Sequence, residues 1–242
     1  MYYQVSGVKK MFLGIYNYTV YLTYLNLLSG FIGVSLVVFT DKIGLASVFL
    51  LISGICDIFD GIVSRSKKNL YLLEKRYGVQ IDSLADLVSF GVLPVAIGYS
   101  LLKKVVPSGS IYYTLLTFAF IFFGSLYVLA ALIRLAYFNV LTEENEELNS
   151  KGFIGVPVTF SSVLFPVLIL IHLQLGKLWK GFEDIQWLSP LIYLFFLMLF
   201  SFLFVYDKIK FKKQKNILYF FLSALFLTLI LILLYLEICL KK

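Results

Sequence analysis

The chain has 242 residues, 60% of them hydrophobic and only 14% charged, with a formal net charge of +7 and a mean hydropathy of +0.91. A soluble domain carries about 25% charged residues, so the soluble globular, disordered and fibrous classes are excluded. The two cysteines, Cys56 and Cys239, give neither a disulfide framework nor metal-ligand spacing, and they read as small buried hydrophobes.

Apolar runs recur at the length of a transmembrane helix, about 20 residues, without the alternation of a membrane-barrel strand. The expected fold is an all-α integral membrane protein, a polytopic helical bundle. Lys9 and Lys10 precede a first run that reaches about Phe39 without a small-residue cleavage site, so it reads as a span and not as a signal peptide. Spans are predicted near residues 17–39, 43–63, 84–101, 110–137, 154–174, 188–206 and 217–239. The first carries Thr23 and Asn26 at i, i+3 in oily surroundings. The second ends on Asp57 and Asp60, and the third begins with Asp82 and Asp86. Pro94 and Pro157 are expected to kink helices near the interface. Arg134 and Asn139 close the fourth span. The acidic stretch at 142–150 reads as a solvated connection, and His172, alone in an apolar span, reads as structural.

Orientation follows from Lys and Arg in the connections. Lys9, Lys10, Arg65, Lys67, Lys68, Lys75, Arg76, Lys151, Lys208, Lys210, Lys212, Lys213 and Lys215 fall on one side, against Lys42, Lys103, Lys104, Lys177, Lys180, Lys241 and Lys242 on the other. The richer side is expected to be cytoplasmic, with the 64–83 connection on it. Basic residues there set topology and attract anionic lipid headgroups, so the net charge requires no nucleic acid.

Asp57 and Asp60 share one helix face, as do Asp82 and Asp86 at i, i+4. Two antiparallel helices joined on one membrane side can aim all four carboxylates at one point. Four such groups cannot all stay ionised without counter-charge, and Arg65 alone is insufficient. Hard oxygen ligands suit Mg²⁺ or Mn²⁺, and a pair of such ions about 4 Å apart clamps phosphate oxygens. Gly61 and Gly78 leave room beside this cluster for a bulky ligand. Ionisable residues at membrane depth are functional candidates by default. The alternative for any one aspartate is a helix cap or a lysine partner.

The pattern D-x-x-D-G-x-x-S-R followed by G-x-x-x-D-x-x-x-D, on Asp57, Asp60, Gly61, Arg65, Gly78, Asp82 and Asp86, resembles the signature of the CDP-alcohol phosphotransferase family. Ser64 stands where that pattern usually has alanine, and the gap from Arg65 to Gly78 is longer than in its common form. The stretches "LNLLSGF", "IDSLADLVSFGVLP", "RLAYFNV" and "GVPV" resemble those of the branch that uses serine and CDP-diacylglycerol.

The resemblance implies a six-helix core in residues 1–206, with residues 207–242 as a basic loop and an added span. It implies transfer of a phosphatidyl group from CDP-diacylglycerol to the hydroxyl of L-serine, with release of CMP, at the cytoplasmic face among membrane lipids. It also implies a homodimer. Asp57, Asp60, Asp82 and Asp86 are then metal ligands, and Asp86 is also the general base. Gly61, Ser64, Arg65 and Gly78 form the CDP pocket, and Thr23 and Asn26 line its cytidine side. Arg134, with Asn139 as a weaker companion, is expected to bind the acceptor's carboxylate or the lipid phosphate. The core motif leaves glycerol 3-phosphate, an inositol phosphate or another small alcohol open as acceptor. Readings of another class are a carboxylate-site cation transporter, which favours acids at the bilayer midplane, and a silent scaffold.

Overall fold

The computed structural model describes residues 14–16, 18–66, 72–144, 153–154, 156–208 and 210–211. Among these, α1 runs over Tyr18–Thr40, α2 over Ile43–Ser66, α3 over Leu72–Asp86, α4 over Leu93–Val105, α5 over Ile111–Glu144, α6 over Ser161–Leu178 and α7 over Leu188–Val205. Among the described residues, a two-residue antiparallel pair, β1 (Phe153–Ile154) with β2 (Lys210–Phe211), is the exception to helical elements. Among the described residues, six helical stretches are long and apolar enough to cross a membrane: Val20–Thr40, Ile43–Val63, Leu72–Val105, Ile111–Leu141, Val158–Leu178 and Leu188–Val205. The protein is therefore a multi-pass helical membrane protein. The expected span at 217–239 and most of the acidic connection lie outside the described residues, as do Lys9 and Lys10.

Five predicted spans match these stretches closely, and the third does not. Helix begins at Leu72, twelve residues before the expected start at 84. Residues 72–83 are polar enough to hide from a hydropathy reading, yet they continue the same helix. What looked like a 20-residue connection therefore narrows to the few residues between Ser66 and Leu72.

The turn from α1 to α2 uses Asp41 at φ +51°. The N–H of Lys42 bonds back to the carbonyl of Leu36, and that of Asp41 to Val37. This is a left-handed helix stop, a position where the short aspartate side chain is tolerated. Asp41 also accepts from Ser100 Oγ and lies 3.5 Å from Lys103 Nζ, which ties the α1–α2 turn to the end of α4.

Between α3 and α4 the helix widens into a π turn, Leu87–Val92. The partner that the Phe90 carbonyl would have four residues on is Pro94, which has no N–H. Two hydroxyls from other helices replace it: Tyr127 donates at 2.9 Å and Ser161 at 3.3 Å. Pro94 therefore sits in the first turn of α4 directly after the widened turn. Pro157 does not kink a helix, since it precedes a 3₁₀ turn, Val158–Phe160, that leads into α6.

Helices in lipid gain little from apolar burial and associate through close packing and hydrogen bonds. Gly30 shows how tightly. A Cβ there would lie 2.2 Å from Ser89 Oγ, so only glycine lets α1 meet the π turn. Around Phe90 the core is aromatic. Phe165 lies 5.8 Å from Tyr127 and 4.8 Å from Tyr193, centroid to centroid, and Tyr193 Oη donates to the Pro94 carbonyl. The outward faces carry Phe118, Phe122, Leu129 and Phe195, as expected for contact with lipid.

Candidate active site

Asp57 and Asp60 lie on α2, Asp82 and Asp86 on α3. The two helices make little contact of their own; α1 packs against both and supplies the donors that organise their acids. Thr23 Oγ1 donates to Asp60 Oδ2. Asn26 Nδ2 donates to Asp86 Oδ1 at 2.8 Å. A third donor comes from the entrance to α6: Thr159 Oγ1 reaches Asp57 Oδ2 at 3.1 Å. Asn26 is itself pinned through its backbone carbonyl, which accepts from Ser53 of α2 and Ser89 of the π turn.

The result is a convergence of carboxylates. Oxygens of Asp57, Asp82 and Asp86 all lie within 4.8 Å of one another. Asp60 stands outside that mutual set but is as buried as Asp86, at 7% and 6% exposure. Among the described residues no lysine or arginine pairs with these four acids. Asp82 Oδ1 is buried and has no hydrogen-bond partner.

These residues fit a hard divalent cation. Three carboxylates at such separations repel unless a cation lies between them, an orphaned buried oxygen lacks a partner, and all the donors are oxygen. Each of the three hydrogen-bonded acids has one oxygen held by a neutral group, the outer-shell arrangement that orients ligating carboxylates.

The other expected residues fall in several places. Gly61 is half-buried on α2, one residue past Asp60. Ser64 and Arg65 occupy the last turn of the α2 backbone, and their side chains lie outside the described residues. Gly78 sits inside α3, and a Cβ there would meet nothing within 4 Å, so the space beside it is open. Thr23 and Asn26, expected along the nucleotide, have their side chains on Asp60 and Asp86. Asn139 exchanges hydrogen bonds with Ser83, the neighbour of Asp82. Arg134 is only 8% exposed. Its Nη1 lies 3.5 Å from the Phe204 carbonyl, and its guanidinium lies over the Phe138 ring, 4.8 Å from the centroid.

Sequence reasoning missed Thr159. It stands 102 residues from Asp57 in the chain, and its one local signal is the preceding "GVPV".

Comparison with known proteins shows the family. The sequence profile of the family described as CDP-alcohol phosphatidyltransferase matches residues 16–240. The chain belongs to that family. It is 30% identical over 189 residues to a CDP-diacylglycerol–serine O-phosphatidyltransferase of Helicobacter pylori, covering 77% of this chain and 70% of the relative. A Saccharomyces cerevisiae protein of the same name is 36% identical over 148 residues, 57% of this chain and 48% of the relative. An archaetidylserine synthase of Methanothermobacter thermautotrophicus is 30% identical over 142 residues, 59% and 53% respectively. The chain thus spans about half the length of several curated relatives that it matches. The matched range contains Asp57, Asp60, Asp82 and Asp86.

Proposed function

We propose that the protein transfers a phosphatidyl group from CDP-diacylglycerol to the hydroxyl of L-serine, yielding phosphatidylserine and CMP. The observation that carries this reading is the convergence of Asp57, Asp82 and Asp86 from two helices onto one point, on the residues of the family signature. The names of the similar proteins support serine as acceptor. The basic bias of the connections supports a site open to the cytoplasm.

The chemistry is a displacement at phosphorus. The serine oxygen forms a bond to the β-phosphorus of the CDP-lipid, the bond from that phosphorus to the CMP oxygen breaks, and CMP leaves with the electron pair. Asp86 accepts the serine hydroxyl proton, held in place by the Asn26 amide. Divalent cations, Mg²⁺ or Mn²⁺ and by the family's signature two of them, would neutralise the diphosphate and stabilise departing CMP. Asp57, Asp60, Asp82 and Asp86 would hold them.

Gly61, Ser64, Arg65 and Gly78 form the CDP pocket in this reading, and the open space at Gly78 supports it. The part of Thr23 and Asn26 in CDP binding runs through the acids they hold. Arg134, a buried guanidinium on α5, is assigned to the acceptor carboxylate or the lipid phosphate, with Asn139 beside it. The family match favours this chemistry over cation transport.

The test is CMP release by purified protein in lipid. CDP-diacylglycerol and Mg²⁺ or Mn²⁺ are supplied with serine, glycerol 3-phosphate, inositol or inositol phosphate in separate reactions. Serine alone should support rapid release, and chelation should stop it. Release with another acceptor only would overturn the serine assignment, and no release with any acceptor would overturn the enzyme.

A further inference from the structure

We propose that Thr159 is a positioning residue for the metal centre, and that the α2–α6 contact at Gly54 seats it. This rests on the functional reading above and goes beyond the family signature, which ends at Asp86.

Four observations converge on it. Among the described residues, the Thr159 hydroxyl is the one donor to Asp57, at 3.1 Å from Oδ2. Thr159 is held from behind, since its carbonyl accepts from Ser162 Oγ at 2.7 Å. Ser162 in turn lies against Gly54, where a Cβ would come within 2.2 Å of Ser162 Oγ and 2.6 Å of its Cβ. Gly54 is three residues before Asp57 on α2, so it lies on the same face, about one turn away.

The bare backbone at Gly54 lets α6 approach α2. That contact fixes Ser162, Ser162 fixes the 3₁₀ turn, and the turn places the Thr159 hydroxyl on Asp57. The turn is clamped on both flanks, with Phe160 stacked on Phe200 at 5.6 Å and Ser161 bonded to the Phe90 carbonyl. A donor on so fixed a turn restricts the orientation of the Asp57 carboxylate, one oxygen of which lies within 4.8 Å of oxygens of Asp82 and Asp86. Acids oriented in this way lose 10- to 100-fold in metal affinity when the outer partner is removed.

The experiment measures Mn²⁺ alone, without CDP-lipid or acceptor, by electron paramagnetic resonance of the full chain in lipid nanodiscs. Thr159→Val keeps the shape and removes the hydroxyl. Its Mn²⁺ Kd should rise about tenfold or more, and Thr159→Ser should restore the wild-type value. The metal-free Tm of Thr159→Val should match the wild type, while the rise in Tm on adding Mn²⁺ shrinks. If Thr159→Val fails to fold, Thr159→Ala removes the same hydroxyl without the γ bulk and carries the same expectation. A Thr159→Val protein that binds Mn²⁺ as the wild type does overturns the positioning role and leaves the metal reading standing. So does a Thr159→Ser protein as weak as Thr159→Val. A wild-type protein that binds no Mn²⁺ overturns both.

Discussion

Asn26 of α1 donates its side-chain amide to Asp86 of α3 at 2.8 Å, across 60 residues of sequence. Its own backbone carbonyl is meanwhile held by Ser53 and Ser89. The backbone anchors survive any change of side chain, so substitutions at this position report on Asp86 more than on packing. Asn26→Ala removes the donor and should lower kcat for CMP release by about tenfold or more. Asn26→Asp places a fifth carboxylate against Asp86 and should be worse than alanine, because like charges that close repel. Steady-state kinetics on both variants decide it. An Asn26→Asp enzyme as fast as wild type would mean that the hydrogen bond does not matter to Asp86.

Asp86→Asn keeps the shape and the contact with Asn26 while removing the proton acceptor. CMP release should fall by about 10²–10⁴-fold, the usual contribution of a general base. Binding of CDP-diacylglycerol, followed by nucleotide-dependent thermal stabilisation, should be largely kept. Loss of binding in parallel with loss of turnover would assign Asp86 to metal holding alone.

The four aspartates, and the helices they sit on, were legible because the same residues carry both a helical period and an improbable charge. Asp57 with Asp60 and Asp82 with Asp86 are spaced for one face, and oil around them makes them conspicuous. Thr159 was not legible. A threonine before an apolar run has many innocent explanations, and only tertiary folding brings it to Asp57. The start of α3 was missed for a different reason. Hydropathy finds the lipid-crossing part of a helix, whereas Leu72–Ser83 continues it into a polar region that the same backbone hydrogen bonds sustain. The π turn was invisible as well, although Pro94 marks where a carbonyl must look elsewhere for its donor.

That carbonyl gives a stability prediction independent of catalysis. Phe90 O accepts from Tyr127 and Ser161 in place of the N–H that Pro94 lacks. Tyr127→Phe leaves one donor and should cost about 1 kcal/mol. Ser161→Ala together with Tyr127→Phe strands a fully buried carbonyl, so the double variant should lose more than the sum of the two singles. Thermal unfolding of the four proteins in one detergent measures the coupling. Strict additivity would show that the carbonyl finds another partner.

Arg134 is buried on α5 between the Phe204 carbonyl and the Phe138 ring, which explains how a guanidinium is tolerated there but not why it is needed. A residue that only packed would be replaceable at the cost of stability. One that receives the acceptor's carboxylate loses a charge-assisted hydrogen bond, worth about 1.5–3 kcal/mol. Arg134→Gln should therefore raise the KM for serine by about 10- to 100-fold and leave the Mn²⁺ dependence of the rate unchanged. Arg134→Lys should recover only part of the loss, because an ammonium cannot reproduce the planar two-point contact. A KM for CDP-diacylglycerol that rises instead would move Arg134 to the lipid phosphate. Unchanged KM values for both substrates, with a lowered Tm, would make it a packing residue of α5 and α7.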